Sequence, residues 1–303
     1  MFPPLPEMNP GETPVQIWHD PFFENSGLDI RVLRLDLIHP WIQGNKWFKL
    51  MPFAEKCIAE NRSGFLSMGG PFSNHLIALS CAAFSMKKRS VFLVRGEEKE
   101  WENNPAITQM KEWGSEILPL SRTTFRQWHQ QGPDDTLSPE FQNLIWVPMG
   151  GTPAGPAPGL TALSRVISAA AEFDFLVLPA ATGGTAAGIA RGMPADKKML
   201  VTEVLKSGGG LEAAFRKDVP ENGPETTWLS DYHFGGYART NPVLNRFCRQ
   251  INETQMFKIE PVYSGKCFFA VSDLARKGHF GIRNRILILH TGGIFPWNTG
   301  LEG

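Results

Sequence analysis

The sequence predicts an α/β fold in which parallel sheets are flanked by helices. Short apolar runs, often rich in β-branched residues, recur along the chain, as in parallel strands buried on both faces. Helical patterns lie between these runs, and this alternation is typical of βαβ units. Several runs end in glycine pairs, where a strand would turn into the next helix.

The strands are predicted from their short apolar composition. Two groups of four strands fit two lobes, and a boundary near residues 150–159 is supported by a high density of glycine and proline. We predict strands at residues 64–68, 90–94, 116–120, 144–148, 173–178, 199–204, 259–262 and 285–289.

The helices are predicted from apolar periodicity and from their start and stop signals. Asn104-Pro105 and Asn241-Pro242 are start signals, because Asn caps a helix and Pro suits its first position. Gly114 and Gly278 are stop signals. The predicted helices cover residues 73–86, 105–113, 160–172, 243–250 and 265–277.

Length and composition exclude several classes of protein. A chain of 303 residues suggests about two folding units, and 42% hydrophobic with 20% charged residues excludes a disordered chain or a coiled coil. The 30 basic and 30 acidic residues balance, so no general attraction to nucleic acid or membranes is expected. No apolar stretch reaches the roughly 20 residues of a membrane span, no secretion signal is apparent, and the four cysteines lack metal-ligand spacing. We therefore expect a cytoplasmic protein without a metal site.

Glycine pairs mark three turns where ligands could bind. Gly69-Gly70 and Gly183-Gly184 each lie between a predicted strand and a helical segment, and Gly292-Gly293 follows the last strand. Ligands of open α/β folds bind at the carboxyl ends of strands, and the first N–H groups of a helix attract anions. Two anion sites are therefore expected, although a tight turn alone explains any single pair. The dinucleotide and P-loop fingerprints are absent, which disfavours a nucleotide-binding protein.

One lysine and two tyrosines are candidates for the reactive groups of a catalytic site, an amine and hydroxyl groups. Lys46 follows a glycine turn among aromatic neighbours, where desolvation would lower its pKa and make it a usable nucleophile; an exposed lysine at a helix start is the alternative. The chain has 21 Phe and only 3 Tyr, so Tyr237 and Tyr263 are candidates for a hydroxyl function. A structural bond from a tyrosine to a backbone carbonyl explains either one nearly as well.

Together these features match the needs of a pyridoxal-phosphate enzyme that acts on an amino acid. The lysine amine would react with the aldehyde of the cofactor, and one helix start would bind its phosphate. The second helix start would bind the substrate carboxylate, and a hydroxyl group would meet the pyridine nitrogen.

Five ordered motifs then resemble the family of 1-aminocyclopropane-1-carboxylate deaminases and D-cysteine desulfhydrases. The resemblance spans about residues 33–298 and implies the two-domain fold of type II pyridoxal-phosphate enzymes, like the tryptophan synthase β subunit. It implies a large cofactor-binding domain at 1–48 and 157–303, a small domain at 49–156, and a homodimer. The motifs are Gly44-Asn45-Lys46-x-x-Lys49, Gly69-Gly70-x-x-Ser73-Asn74, Thr182-Gly183-Gly184-Thr185, Pro261-Val262-Tyr263-x-Gly265-Lys266 and His290-Thr291-Gly292-Gly293.

The resemblance also implies roles for individual residues. Lys46 would carry the cofactor, and Asn74 would contact its phenolic oxygen. Ser73, with the backbone near His75, would bind the substrate carboxylate, and Ser73 would also be a candidate for proton transfer. Phe72 stands where the family usually has Gln and would line the substrate pocket. The remaining implied residues are Tyr237 and Tyr263 as active-site tyrosines, and Asn45, Lys49, Thr182, Gly183, Gly184, Thr185, Ser264 and Thr291 as cofactor contacts.

Two positions separate the activities within this family. Ring-opening deaminases are expected to have Glu directly after the second tyrosine and Leu between His and Gly-Gly, whereas this chain has Ser264 and Thr291. A carboxylate beside the pyridine nitrogen keeps it protonated and strengthens the electron sink, and a hydroxyl leaves it largely neutral. We therefore expect β-elimination from a small amino acid such as D-cysteine. Ring opening of 1-aminocyclopropane-1-carboxylate and a non-catalytic protein that binds cofactor or amino acid are the alternatives.

Overall fold

The computed structural model describes residues 13–134, 137–152, 158–236, 238–295 and 297. They divide into two compact units, each with its own sheet. His39–Ile42 and Lys46–Gly159 form the four-stranded unit. The described residues before His39, Gln43–Asn45 and those from Leu160 onward form the six-stranded unit.

Strands and helices alternate along the described chain. In order, the elements are β1 (Val15–Ile17), α1 (Pro21–Asn25), β2 (Asp29–Leu33), α2 (Asn45–Ala59), β3 (Gly64–Gly69), α3 (Asn74–Ser85), β4 (Arg89–Arg95), α4 (Pro105–Glu112), β5 (Glu116–Leu120), α5 (Arg122–Gln131), β6 (Leu144–Val147), α6 (Pro158–Ala170), β7 (Phe175–Ala180), α7 (Gly184–Ala190), β8 (Lys198–Glu203), α8 (Gly210–Asp218), β9 (Glu225–Leu229), α9 (Pro242–Thr254), α10 (Ser264–Arg276) and β10 (Arg285–Leu289).

The sheet of the four-stranded unit is parallel throughout and has the strand order β5-β4-β3-β6. All six residues of β3 are buried, as expected of a central strand covered on both faces. The chain moves outward from β3 through β4 to β5 and then returns to β6 on the other side of β3. The strand order therefore reverses between β3 and β6, and their carboxyl ends lie at the position where open α/β folds bind ligands.

The sheet of the six-stranded unit has the order β1-β2-β10-β7-β8-β9. Only the β1–β2 pair is antiparallel among these described strands. Helix α10 buries Phe268 and Val271 in the same core cluster as Val177 of β7 and Ile288 of β10. Here the strand order reverses between β7 and β10, so the loops after these two strands lie at the second ligand-binding position.

The predicted α/β fold is confirmed, with two corrections to its strands. Residues 259–262 do not form a strand, because the Glu260 side chain accepts backbone hydrogen bonds from Val262 and Tyr263 and holds a turn before α10. The strands divide into six and four rather than four and four, since β1, β2 and β9 belong to the larger sheet. These three are short or carry polar side chains, such as the ion-paired Asp29 and Arg31, and lack the apolar signature.

The predicted helix starts are confirmed by their caps. The Asn104 side chain accepts hydrogen bonds from the N–H groups of Ala106 and Ile107 at 2.9 and 3.1 Å, and Asn241 accepts from Leu244 N at 2.8 Å. Helix α2 continues through Pro52. No helix among the described residues is long and apolar enough to cross a membrane.

Candidate active site

The glycine loop after β7 is a candidate ligand loop, and it lies where the strand order of the six-stranded unit reverses. Gly183 has a left-handed backbone (φ 75°), which an L side chain would strain, and it leads directly into α7. The buried Asn45 side chain donates from Nδ2 to Thr185 Oγ1 at 2.8 Å. Two motifs that are 140 residues apart in sequence are thereby brought together.

The loop before α2 is fastened to the loop after β10. Gly44 has a φ of 64° and packs against the Thr291 carbonyl so closely that a side chain would not fit. Oε1 of Gln43 accepts hydrogen bonds from the N–H groups of Gly293 and Ile294, both at 2.9 Å, and Nε2 donates to Ile294 O. Sequence reasoning missed this role of Gln43. Glutamine is usually exposed, and its position beside a glycine gave no sign that it would be buried.

Thr291 and Tyr263 differ in how their hydroxyl groups are used. Thr291 is 3% exposed, and its Oγ1 has no hydrogen-bond partner among the described residues. The Tyr263 hydroxyl donates to Pro179 O at 3.1 Å, near the end of β7, which is the structural role foreseen for a tyrosine. A buried hydroxyl without a partner costs stability, so Thr291 is the position that a ligand would relieve.

Ser264 begins α10 and is held by a carboxylate that sequence reasoning missed. Its Oγ donates to Glu260 Oε1 at 2.9 Å, and both residues are buried. Desolvation raises the pKa of Glu260 to about 7, against the lowering effect of its hydrogen bonds. A polar residue before Pro261 gave no signal of this role in the sequence.

Lys46 and Lys49 lie near the start of α2, in the four-stranded unit. Burial lowers the pKa of Lys46 to about 8. The pKa of Lys49 falls to about 7, because the side chain is desolvated and because the Lys46 charge repels a second cation. Lys46 is half-buried and Lys49 is 7% exposed, so the exposed-lysine alternative is wrong.

His75 is buried on α3 and is fixed in one tautomer. Ser67 of β3 donates its hydroxyl proton to Val147 O at 2.7 Å, so Ser67 Oγ must accept from His75 Nε2 at 2.9 Å. Nδ1 is then a bare acceptor, and it has no partner among the described residues. Burial and the charges of Lys46 and Lys49 lower the pKa of His75 to about 3, so the ring stays neutral.

The loop between β3 and α3 carries the remaining predicted contacts. Ser73 is the N-cap of α3 and is half-buried, with its Oγ 3.4 Å from Leu76 N. Asn74 is the half-buried first residue of α3, and Phe72 is 52% exposed. Tyr237 lies outside the described residues. The functional roles of all these predicted site residues stay predictions.

The residues of each unit fit pyridoxal phosphate by their chemistry. In the four-stranded unit, the half-buried Lys46 and the buried Lys49 repel each other, and an anion such as a phosphate would relieve this repulsion. In the six-stranded unit, the left-handed Gly183 loop and the unpartnered Thr291 hydroxyl offer a backbone turn and a buried polar atom. No group of three or more His, Cys, Asp or Glu side chains able to hold a metal was found among the described residues.

Comparisons with known proteins support this chemistry. No family model matches the chain. A Pyrococcus horikoshii protein named "Putative 1-aminocyclopropane-1-carboxylate deaminase" is 26% identical over 306 residues, which cover 96% of this chain and 92% of that protein. An Arabidopsis thaliana mitochondrial protein named bifunctional D-cysteine desulfhydrase/1-aminocyclopropane-1-carboxylate deaminase is 20% identical, covering 93% and 76%.

Solved structures agree with the sequence relatives. The crystal structure of an ACC deaminase homologue is 26% identical, with a TM-score of 0.77 over 93% of this chain and 90% of that one. A pyridoxal 5'-phosphate-dependent aspartate racemase is 14% identical, with a TM-score of 0.61 over 94% and 92%, and shows the fold alone. The predicted resemblance, fold and enzyme class are thereby confirmed. This chain has the fold of the type II pyridoxal-phosphate enzymes and is related over nearly its whole length to the 1-aminocyclopropane-1-carboxylate deaminases.

Proposed function

We propose that this chain binds pyridoxal phosphate and eliminates the β-substituent of a small amino acid. D-cysteine is the first substrate to test, and its products would be a keto acid, ammonia and sulfide. The observation that carries the proposal is Lys46, a half-buried lysine with a pKa lowered to about 8. It directly follows Asn45, whose side chain is bonded to Thr185 of the glycine loop.

The residues would divide the reaction between proton transfer and binding. When bound, the cofactor supplies an electron sink for the charge that develops at the substrate α-carbon. Lys46 Nζ takes the α-proton, since a pKa of about 8 makes its neutral amine far more available near neutral pH than that of an ordinary lysine. The bond from the β-carbon to sulfur then breaks, and thiolate leaves with the electron pair. Water converts the remaining enamine to the keto acid and ammonia.

Binding roles are proposed from the motif match. Lys49 and the loop from Thr182 to Thr185 hold the phosphate, and Asn74 contacts the phenolic oxygen. Ser73 binds the substrate carboxylate at the start of α3, a helix of 12 residues whose first N–H groups favour an anion. Tyr263 is retained as an active-site residue, although its hydroxyl already donates to Pro179 O. The remaining assignments are Asn45, His75, Phe72, Tyr237, Ser264 and Thr291, as in the family resemblance.

Ring opening of 1-aminocyclopropane-1-carboxylate is the second candidate, because the relatives carry that name. Ser264 and Thr291 favour elimination, since hydroxyl groups at these two positions accompany desulfhydrase activity in the family. A homodimer and a cytoplasmic location stay predictions.

The first experiment is a visible absorption spectrum of the purified protein with added pyridoxal phosphate. We expect a yellow band in the wild type and in Lys56→Ala, a matched control on the exposed face of the same helix. The band should be absent in Lys46→Ala. A wild type without the band would contradict the assignment of cofactor and lysine together.

The second experiment is a substrate screen on the loaded protein. D-cysteine, D-serine and chloro-D-alanine should yield keto acid and ammonia. Oxobutyrate from 1-aminocyclopropane-1-carboxylate at the higher rate would instead establish ring opening. Tight binding of an amino acid with no turnover of any substrate would favour the non-catalytic alternative.

A further inference from the structure

Glu260 is a buried carboxylate with an unusual number of hydrogen-bond donors. It lies in the turn before α10 and is 4% exposed. Val262 N donates to Oε2 at 2.7 Å, and Ser264 N donates to Oε1 at 2.5 Å. Tyr263 N lies 3.0 Å from both oxygens. The carboxylate therefore satisfies N–H groups at a helix start, where a negative charge is also favoured.

The Ser264 hydroxyl is engaged with the same carboxylate. Ser264 Oγ donates to Glu260 Oε1 at 2.9 Å and accepts from Glu260 N at 3.0 Å. A hydroxyl has one proton and two lone pairs. With its proton on Glu260, Ser264 can offer a further partner only its second lone pair, so that partner must bring a proton of its own.

These hydrogen bonds connect the hydroxyl group of Ser264 to a buried carboxylate, which a hydroxyl at this position does not reveal in the sequence. We propose that Glu260 is a positioning residue that acts through Ser264, as the counter-charge of a protonated pyridine nitrogen in the bound cofactor. The inference rests on the proposed function and on the family resemblance, which implies that position 264, where ring-opening enzymes are expected to have Glu, lies beside that nitrogen. One proton is shared along the path: it lies on the ring when Ser264 donates to Glu260, and on the carboxyl group when Ser264 donates to the ring.

The neighbours of Glu260 allow it to carry this charge. The charge of Glu260 acts on Lys266, which lies on the adjoining helix α10, and on Cys248 of α9. Burial raises the pKa of Cys248 to about 12, so that thiol stays neutral. The raised pKa of Glu260 keeps both of its protonation states accessible.

The consequence is a stronger electron sink than the sequence predicted. A hydroxyl alone would leave the ring largely neutral, whereas a hydroxyl backed by a buried carboxylate stabilises the ring proton. Ser264 therefore does not by itself argue against the harder ring-opening chemistry.

The test is the ring nitrogen itself, observed by NMR in protein loaded with cofactor that carries ¹⁵N in the pyridine ring. The wild type should resonate in the pyridinium range. Glu260→Gln, which keeps the shape but cannot hold the charge, should move the signal to the neutral-pyridine range, and Ser264→Ala should do the same. Glu203→Gln is the matched control, because Glu203 is another buried carboxylate that accepts from a serine, Ser207 at 2.7 Å. It should leave the signal in place.

The possible results separate a failure of the proposed function from a failure of the inference about Glu260. A wild type that binds no cofactor, judged by its visible band, overturns the proposed function and this inference with it. A loaded Glu260→Gln protein that keeps the wild-type signal overturns the inference alone. A signal that moves in Thr291→Val but not in Ser264→Ala would transfer the contact to Thr291 and also overturn it. If Glu260→Gln fails to fold, judged by thermal unfolding without cofactor, Ser264→Ala carries the test, since it keeps the carboxylate and its backbone bonds.

Discussion

Two buried lysines, one in each unit, differ in their hydrogen-bond partners. Lys266 on α10 donates to His233 O at 2.8 Å, Gly236 O at 2.7 Å and Val204 O at 3.4 Å. Lys49 on α2 has no hydrogen bond or ion pair with any described residue. Burial lowers the pKa of both, to about 8 for Lys266 and about 7 for Lys49. The Lys266 ammonium is held by carbonyl groups of the fold, whereas the Lys49 ammonium suits an anion that no described residue provides.

The largest expected effect on stability comes from replacing Lys266, whose ammonium donates to three carbonyl groups. Lys266→Met should lower the free energy of unfolding by about 3 kcal/mol, because two buried carbonyl groups and one partly buried carbonyl group lose their donor at roughly 1 kcal/mol each. Urea denaturation measures this loss. Lys56→Met, at an exposed lysine of α2, should change stability by less than about 0.5 kcal/mol. A loss below about 1 kcal/mol for Lys266→Met would show that the carbonyl contacts do not hold the fold.

The same substitution at Lys49 should act in the opposite direction. The folded pKa of about 7 lies below the unfolded value of 10.5, so the unfolded chain binds more protons and stability rises with pH across that window. Below pH 7 the full penalty of burying the charge is present. Lys49→Met should therefore stabilise the cofactor-free protein at pH 6 by about 1–3 kcal/mol and have little effect above pH 10.5. Thermal unfolding at the two pH values measures this difference, and a destabilised variant at pH 6 would contradict it.

A smaller effect is expected at the serine that orients His75. Ser67→Ala should cost about 1–2 kcal/mol, because Val147 O loses its donor and His75 Nε2 loses its acceptor. The ring proton should then no longer be confined to Nε2. Urea denaturation measures the stability, and NMR of the His75 ring nitrogens reports the tautomer. An unchanged Nε2–H tautomer in Ser67→Ala would mean that another acceptor fixes the ring.

The smallest effect on stability is expected at Thr291. Its Oγ1 has no partner among the described residues, so Thr291→Val should change the stability of the cofactor-free protein by less than about 0.5 kcal/mol or increase it. Thr185→Val, which removes the acceptor of Asn45, should instead cost about 1 kcal/mol. Binding of pyridoxal phosphate by Thr291→Val should weaken about tenfold, as for the loss of one hydrogen bond. A large loss of stability without cofactor would show that Thr291 has a structural partner.

The central strands and the ligand loops could be predicted from the sequence. Strands such as β3 and β10 are buried on both faces, and that environment demands short apolar runs that stand out in a sequence. The glycine loops at Gly69 and Gly183 follow such strands, so their place at the carboxyl ends was also predictable. The edge strand β9 was missed because its half-exposed residues, with Glu225 and Thr226 among them, satisfy no apolar pattern.

What the sequence by itself determined is the residue chemistry: an amine at Lys46, hydroxyl groups at Ser264 and Thr291, and glycine turns in a parallel α/β fold. Only the tertiary structure decided how each polar group is used. Lys266 meets carbonyls 30 to 62 residues away, and the proton of His75 is fixed by Ser67 and by Val147 of a different strand. The physical reason is that the charge and hydrogen-bonding state of a buried group depends on partners that are distant in sequence, and no local pattern encodes them.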